Sequence, residues 1–169
     1  AIGLSALYNN TIGTDNFDQF GYSVDISGNY IIVGSPGEDI DGTNSGNAFI
    51  YELSGGSWTL LRRLTNPNAY STVNNDYFGS EVAITSSYCA VTAQDEDTAA
   101  GQSSGVVYIF STSDGSLIKT LDNPNAFGNV DNDRFGDAMS MSSTRLCIGV
   151  KAEDAVGADN SGVAYLYKV

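Results

Sequence analysis

Phe20-Gly21-Tyr22-Ser23-Val24-Asp25-Ile26 returns along the chain as Phe78-Gly79-Ser80-Glu81-Val82-Ala83-Ile84, and again as Phe135-Gly136-Asp137-Ala138-Met139-Ser140-Met141. The copies stand 58 and 57 residues apart, a period that belongs to an array of supersecondary units stacked to bury a shared core. The same pieces follow each copy in the same order. A β-rich run comes first (residues 30–34, 88–92 and 146–150), then an acidic turn with Glu38-Asp39, Glu96-Asp97 or Glu153-Asp154. A Ser-Gly pair (Ser45-Gly46, Ser104-Gly105, Ser161-Gly162) then opens a third run. A fourth run is complete twice, at residues 58–64 before Thr65-Asn66-Pro67-Asn68 and at 116–121 before Asp122-Asn123-Pro124-Asn125. Each unit reads as four short strands.

Alternation selects strands over helices. Val24 and Ile26 against Ser23 and Asp25, like Val82 and Ile84 against Glu81 and Ala83, place apolar side chains at every second position, as a strand with one buried face requires. The second and third runs are nearly continuous in Val, Ile, Tyr and Phe, which predicts strands covered on both faces. Gly, Asn, Asp and Ser crowd the gaps, where turns need their backbone and side-chain chemistry. No long stretch keeps a helical period. The expected fold is all-β.

The repeat is offset from the chain. Residues 1–10 occupy the place of a fourth strand and its Asn-containing turn, with 13 residues from Leu7 to Phe20 against 14 from Leu64 to Phe78. The last unit, residues 132–169, lacks its fourth strand. The expectation is one domain over residues 1–169 with blades at 17–66, 75–123 and 132–169, and with residues 1–10 completing the last blade in the same or a neighbouring chain. Such a permuted closure removes an exposed sheet edge in ring-shaped β-propellers.

Asp-x-Phe-Gly-x-Ser-Val from Asp18, Ile-Val-Gly-Ser-Pro from Ile32 and Ser-Gly-x-Ala-Phe-Ile-Tyr from Ser45 together resemble the FG-GAP repeat of integrin α-subunit propellers and of bacterial and phage surface proteins. The linker from Leu121 to Gly128 is most similar to those of tandem FG-GAP arrays in marine phage and bacterial extracellular proteins. The resemblance covers essentially the whole chain. It implies four-stranded propeller blades and a binding role outside the cell, on a cell surface or on a virion. Phe20, Gly21, Phe78, Gly79, Phe135, Gly136, Gly46, Gly105 and Gly162 are the structural residues of that pattern. Calcium-binding members of the family carry an Asp-x-Asp-x-Asp-Gly loop after the Phe-Gly strand. Ser27-Gly28-Asn29, Thr85-Ser86-Ser87 and Ser142-Ser143-Thr144 stand there instead, so calcium is not expected at that position.

A different acidic set recurs: Asp18, Asp76 and Asp133 two residues before each Phe; Glu38, Asp39, Glu96, Asp97, Glu153 and Asp154 after each second strand; and Asp41, Asp95 and Asp159 nearby. Calcium takes six to eight oxygen ligands, which makes these residues candidate ligands. The competing reading, favoured because structural demands repeat with the unit, is that they accept hydrogen bonds from turn amides and brace the loops. No cofactor is required, and calcium is the one candidate cation.

With 20 Asp and Glu against 7 Lys and Arg, the net charge is −13. Such a surface repels phosphates, so nucleic acid and anionic membranes are excluded as partners. Cations, basic patches and neutral glycans remain. Cys89 and Cys147 fall at adjacent positions of equivalent strands, which predicts opposite faces, no bridge between them, and two small buried core residues. The absence of His removes the commonest general base and metal ligand. Acid pairs such as Asp95-Glu96-Asp97 meet the composition of a glycoside hydrolase, whose two carboxyls must face each other across a sugar, but they repeat as the fold does. The opening residues lack the basic flank and apolar length of a signal peptide or membrane span. Asn9-Asn10-Thr11 matches a glycosylation sequon, a pattern that plain turns also satisfy.

Three units conflict with the four to eight blades at which propellers usually close. A homodimeric six-bladed ring, head-to-tail assembly into a filament, and a compact three-bladed module are the three resolutions. The function expected is a non-catalytic structural or adhesive surface protein acting through self-association, other surface or virion proteins, or glycans. The alternative is a lectin-like module using turn carboxylates, calcium and aromatics such as Trp58 or Tyr70. A glycoside hydrolase ranks third.

Overall fold

A computed structural model describes residues 5–9, 17–68, 70, 72–124, 128–154 and 158–169. Residues 1–4 and 10 of the expected closing strand, and Asn10-Thr11 of the sequon, lie outside the described residues. The described chain is all-β, with no helix. Blade 1 holds β1 (Val24–Ser27), β2 (Tyr30–Ser35), β3 (Asn47–Ser54) and β4 (Ser57–Thr65). Blade 2 holds β5 (Phe78–Ile84), β6 (Tyr88–Ala93), β7 (Val106–Ser111) and β8 (Leu117–Asp122). Blade 3 holds β9 (Ala138–Met141), β10 (Arg145–Val150) and β11 (Val163–Lys168). Each blade is an antiparallel meander in chain order, with tight turns after its first strand and the long acidic loop between its second and third.

Register makes the three blades superimposable in words. Val24, Val33 and Phe49 are cross-strand neighbours in blade 1, as are Val82, Val91 and Tyr108 in blade 2 and Met139, Ile148 and Tyr165 in blade 3. These rows form the front face of each sheet. The back faces carry Asp25, Ile32 and Ile50; Ala83, Ala90 and Ile109; and Ser140, Cys147 and Leu166.

The blades stack back to front. Ile32, Ala48 and Ile50 pack with Phe78, Val82, Val91, Tyr108 and Phe110 in one buried cluster. Ala90, Val107 and Ile109 pack with Phe135, Leu146, Ile148 and Val150 in the next. Phe78 and Tyr108 have no exposed surface, and each such side chain contributes about 1.5–3 kcal/mol by leaving water. Among the described residues the array is open: strong contacts link blade 1 to blade 2 and blade 2 to blade 3, and no strongly contacting strand pair joins blades 1 and 3.

Openness corrects three expectations. Burial of the second and third strands on both faces holds for β6 and β7 and for most of β2 and β3, but β10 and β11 alternate between covered and exposed positions. For the same reason Cys147 is exposed while Cys89 is buried, although the two do face opposite ways. Residues 5–9 form no strand and do not complete blade 3 within the molecule. Leu7 packs instead on the front of blade 1, beside Val33, Phe49 and Tyr51, because β11 lies at the opposite end of the array.

Candidate functional site

The recurrent acids assemble into one cluster per blade, at the edge where the linker from the preceding unit arrives. Asn66 follows β4 of blade 1, and its side-chain amide donates to Asp76 of blade 2 at 2.8 Å. Asn123 follows β8 and donates to Asp133 of blade 3 at 2.8 Å. Asn9 stands in the same relation to blade 1, donating to Asp18 at 3.3 Å and to Glu38 at 3.0 Å. All three aspartates are buried. A buried carboxylate needs donors to replace its water, and the asparagine supplies one without adding charge.

The glutamates lie deeper, fully buried in every blade. Tyr108 donates its hydroxyl to Glu96 at 2.6 Å, and Tyr165 donates to Glu153. Phe49 occupies the matching position of blade 1 and offers no hydroxyl; there Glu38 accepts from Asn9 and from Ser35. The backbone of each glutamate closes the acidic loop, because Gly46, Gly105 and Gly162 donate to the carbonyls of Glu38, Glu96 and Glu153 at 2.9, 3.2 and 2.9 Å.

The following aspartates have one task. Asp39, Asp97 and Asp154 accept from the amides of Asn44, Ser103 and Asn160 at 2.6, 2.8 and 2.8 Å. Those three donor residues stand at φ of 47°, 46° and 50°, a left-handed backbone that the carboxylate bond helps to hold. Asp95 pairs with Arg134 at 2.8 Å and Asp41 with Arg63 at 3.9 Å. Asp159 is exposed. Among the described residues, no group of three or more acid, Cys or His side chains is arranged to hold a metal ion.

Crowding of acids shows in their acidities. Burial pushes the Asp76 carboxyl up to about 7, the charge of Glu96 adds to the rise, and the Asn66 hydrogen bond opposes it. Burial lifts Asp133 to about 6 against the Asn123 hydrogen bond, with Glu153 adding to the rise. Asp95 is also raised by burial, and Arg134 counteracts it.

Beside the blade 2 cluster lies a polar cup of about 230 Å³, lined by Thr72, Asn74, Asn75, Asp76, Asp95, Asp97 and Ser103. An apolar cleft of about 230 Å³ lies over the front of blade 1, between Leu7, Tyr8, Phe49, Tyr51, Trp58 and Leu60. Trp58 packs on that face, whereas Tyr70 is exposed and donates its hydroxyl to Asp122 at 2.8 Å.

Asn9, Asn66 and Asn123 carry the clasp that sequence reasoning assigned to ordinary turns. Their signal was the spacing Leu-x-Asn at Leu7, Leu64 and Leu121, where the leucine enters the next blade's core and the asparagine meets its buried aspartate. The Phe-Gly pair is explained by the same junction. Gly79 and Gly136 adopt φ of 97° and 101°; a Cβ on Gly79 would stand 2.4 Å from the Asn47 carbonyl oxygen, and one on Gly136 2.6 Å from Thr92 Oγ1 of the preceding blade.

A family model described as FG-GAP repeat matches residues 13–51 and 58–110, more than half of the chain. No curated protein matches it.

Proposed function

The chain belongs to the FG-GAP repeat family, and from that premise we propose that it is a non-catalytic structural or adhesive module of an extracellular surface or a virion, working through contacts of its blades. FG-GAP propeller-type modules are typically non-catalytic. One observation carries the reading: Asp18, Asp76 and Asp133, and likewise Asp39, Asp97 and Asp154, are used alike in all three blades, as hydrogen-bonded braces of the junctions and loops. A general acid and base must instead converge on one substrate. The acidic surface, with a net charge of −13, suits basic protein patches as partners. Incubation with a panel of polysaccharides tests the reading. No turnover is expected, and turnover abolished by Asp95→Asn or Glu96→Gln in a folded protein would overturn it.

The polar cup of blade 2 favours a second reading, a lectin-like site in which Asp76, Asp97, Asn74 and Asn75 meet sugar hydroxyls, with or without calcium. A glycan array run with calcium and with chelator decides between them. Binding lost on Asp97→Asn selects the lectin.

A further inference from the structure

We propose that the front of blade 1 and the back of blade 3 are the two halves of one interface, and that a second copy of this chain docks there head to tail. The inference rests on the reading above that the protein works through blade contacts, and it names the partner. Its basis is that the described residues build the same junction twice between blades and leave the front of blade 1 and the back of blade 3 without that junction's other half.

Each internal junction has a three-rung backbone ladder. The amides of Asn75, Tyr77 and Phe78 donate to the carbonyls of Thr43, Asn44 and Ser45 at 2.8, 3.1 and 3.2 Å. Those of Asn132, Arg134 and Phe135 donate to Gln102, Ser103 and Ser104 at 2.9, 3.3 and 2.8 Å. The matching donors of blade 1 are Phe17, Gln19 and Phe20, and Phe17 and Gln19 already hold the left-handed backbone of their counterparts, at φ of 81° and 60°. The matching acceptors of blade 3 are the carbonyls of Asp159, Asn160 and Ser161. None of these six groups has a backbone partner among the described residues.

Side chains repeat the pattern. Val24 and Ile26 on the front of blade 1 are 64% and 62% exposed, whereas Val82 and Ile84 at the same register are 4% and 2% exposed under blade 1. On the back of blade 3 Leu166 is 69% exposed, and its counterparts Ile50 and Ile109 are 0% and 5% exposed. The glycines agree. A Cβ on Gly46 or Gly105 would strike the backbone of Phe78 or Phe135 in the next blade, while one on Gly162 meets only its own sheet at 3.4 Å. A Cβ on Gly79 or Gly136 strikes the preceding blade, while one on Gly21 meets nothing within 4 Å. At the Gly21 and Gly162 positions both ends therefore keep the shape of a close backbone approach with no described residue of another blade approaching, while Val33 and Phe49 on the same front are already buried beside Leu7, Phe20 and Trp58.

The open edge of β11 completes the match. Ala48 of β3 pairs with Leu64 of β4, so the docked copy's Ala164 would lie opposite Leu7 of the receiving copy, which already covers the front of blade 1. The contact is heterologous: it joins two different surfaces, and so either closes a ring or propagates.

Light scattering and sedimentation of the full chain over about micromolar to millimolar concentrations test this, with Val24→Glu and Leu166→Asp, whose like charges cannot attract each other across the contact. Both positions are exposed, and an unchanged circular dichroism spectrum and melting curve in dilute solution show that folding is intact; Ala164→Glu replaces Leu166→Asp if the latter fails that control. The wild type is expected to exceed the single-chain mass of 17.8 kDa as concentration rises. Each variant alone stays at one chain, since each has lost one half of the contact. Mixed together they form a pair and nothing larger, because one intact front meets one intact back. A wild type that stays monomeric throughout, variants that assemble like the wild type, or a mixture that stays monomeric overturns the proposal. Self-assembly is read without glycan or substrate, so its failure leaves the adhesive reading standing, and a positive glycan array leaves the interface standing.

Discussion

The side-chain amide of Asn66 lies 2.8 Å from a carboxylate oxygen of Asp76, and this bond joins the end of one blade to the buried turn of the next. Asn66→Ala removes the donor and leaves the carboxylate buried. The expected loss is about 1–3 kcal/mol, read by chemical denaturation. The double variant with Asp76→Asn is expected to recover part of it, because the charge that needed the donor is gone.

Acid should stabilise this protein before it harms it. The folded carboxyls of Asp76 and Asp133 sit at about 7 and about 6, above an ordinary value of 3.8. The folded state thus binds more protons than the unfolded state between about pH 4 and pH 7, and stability falls as pH rises through that window. The melting midpoint is expected to be higher near about pH 5 than near about pH 8, and Asp76→Asn should flatten the difference. A midpoint that climbs steadily from about pH 5 to about pH 8 would contradict the account.

The same motif position carries different costs in different blades. Gly79→Ala forces a Cβ to within 2.4 Å of a backbone oxygen at φ of 97°, and is expected to cost about 2–4 kcal/mol from strain and clash together. Gly21→Ala meets open space, so in dilute solution only the backbone strain of about 1–2 kcal/mol remains. Paired denaturation curves on the two variants check the difference, and equal losses would show that the junction does not set it.

Tyr108→Phe tests the buried glutamate. The hydroxyl of Tyr108 donates to Glu96 at 2.6 Å with both residues buried, and its removal is expected to cost about 1–3 kcal/mol. Blade 1 already has Phe49 at this place because Asn9 and Ser35 serve Glu38. The loss should therefore be specific to blade 2, and amide exchange should quicken at its junctions before elsewhere.

Phe20, Phe78 and Phe135, with the alternation that follows each, determined the blade from sequence alone. Strand identity is a local matter of apolar period and turn chemistry, and four strands per unit follow from it. The recurrent acids could also be read as braces of turn amides, as Asp39, Asp97 and Asp154 are. Their partners could not, because Asn66 and Asp76 belong to different blades, and only stacking brings a linker amide onto the next unit's carboxylate. The two-sided burial expected of β10 failed for a similar reason: Cys147 and Ile148 are set in the sequence like a core strand, but no described residue covers Cys147 on the back of blade 3. Local pattern decides which residues are fit for burial. Tertiary structure alone decides which of them receive a covering surface, and in an open array that depends on position along the stack, which a repeating sequence cannot encode.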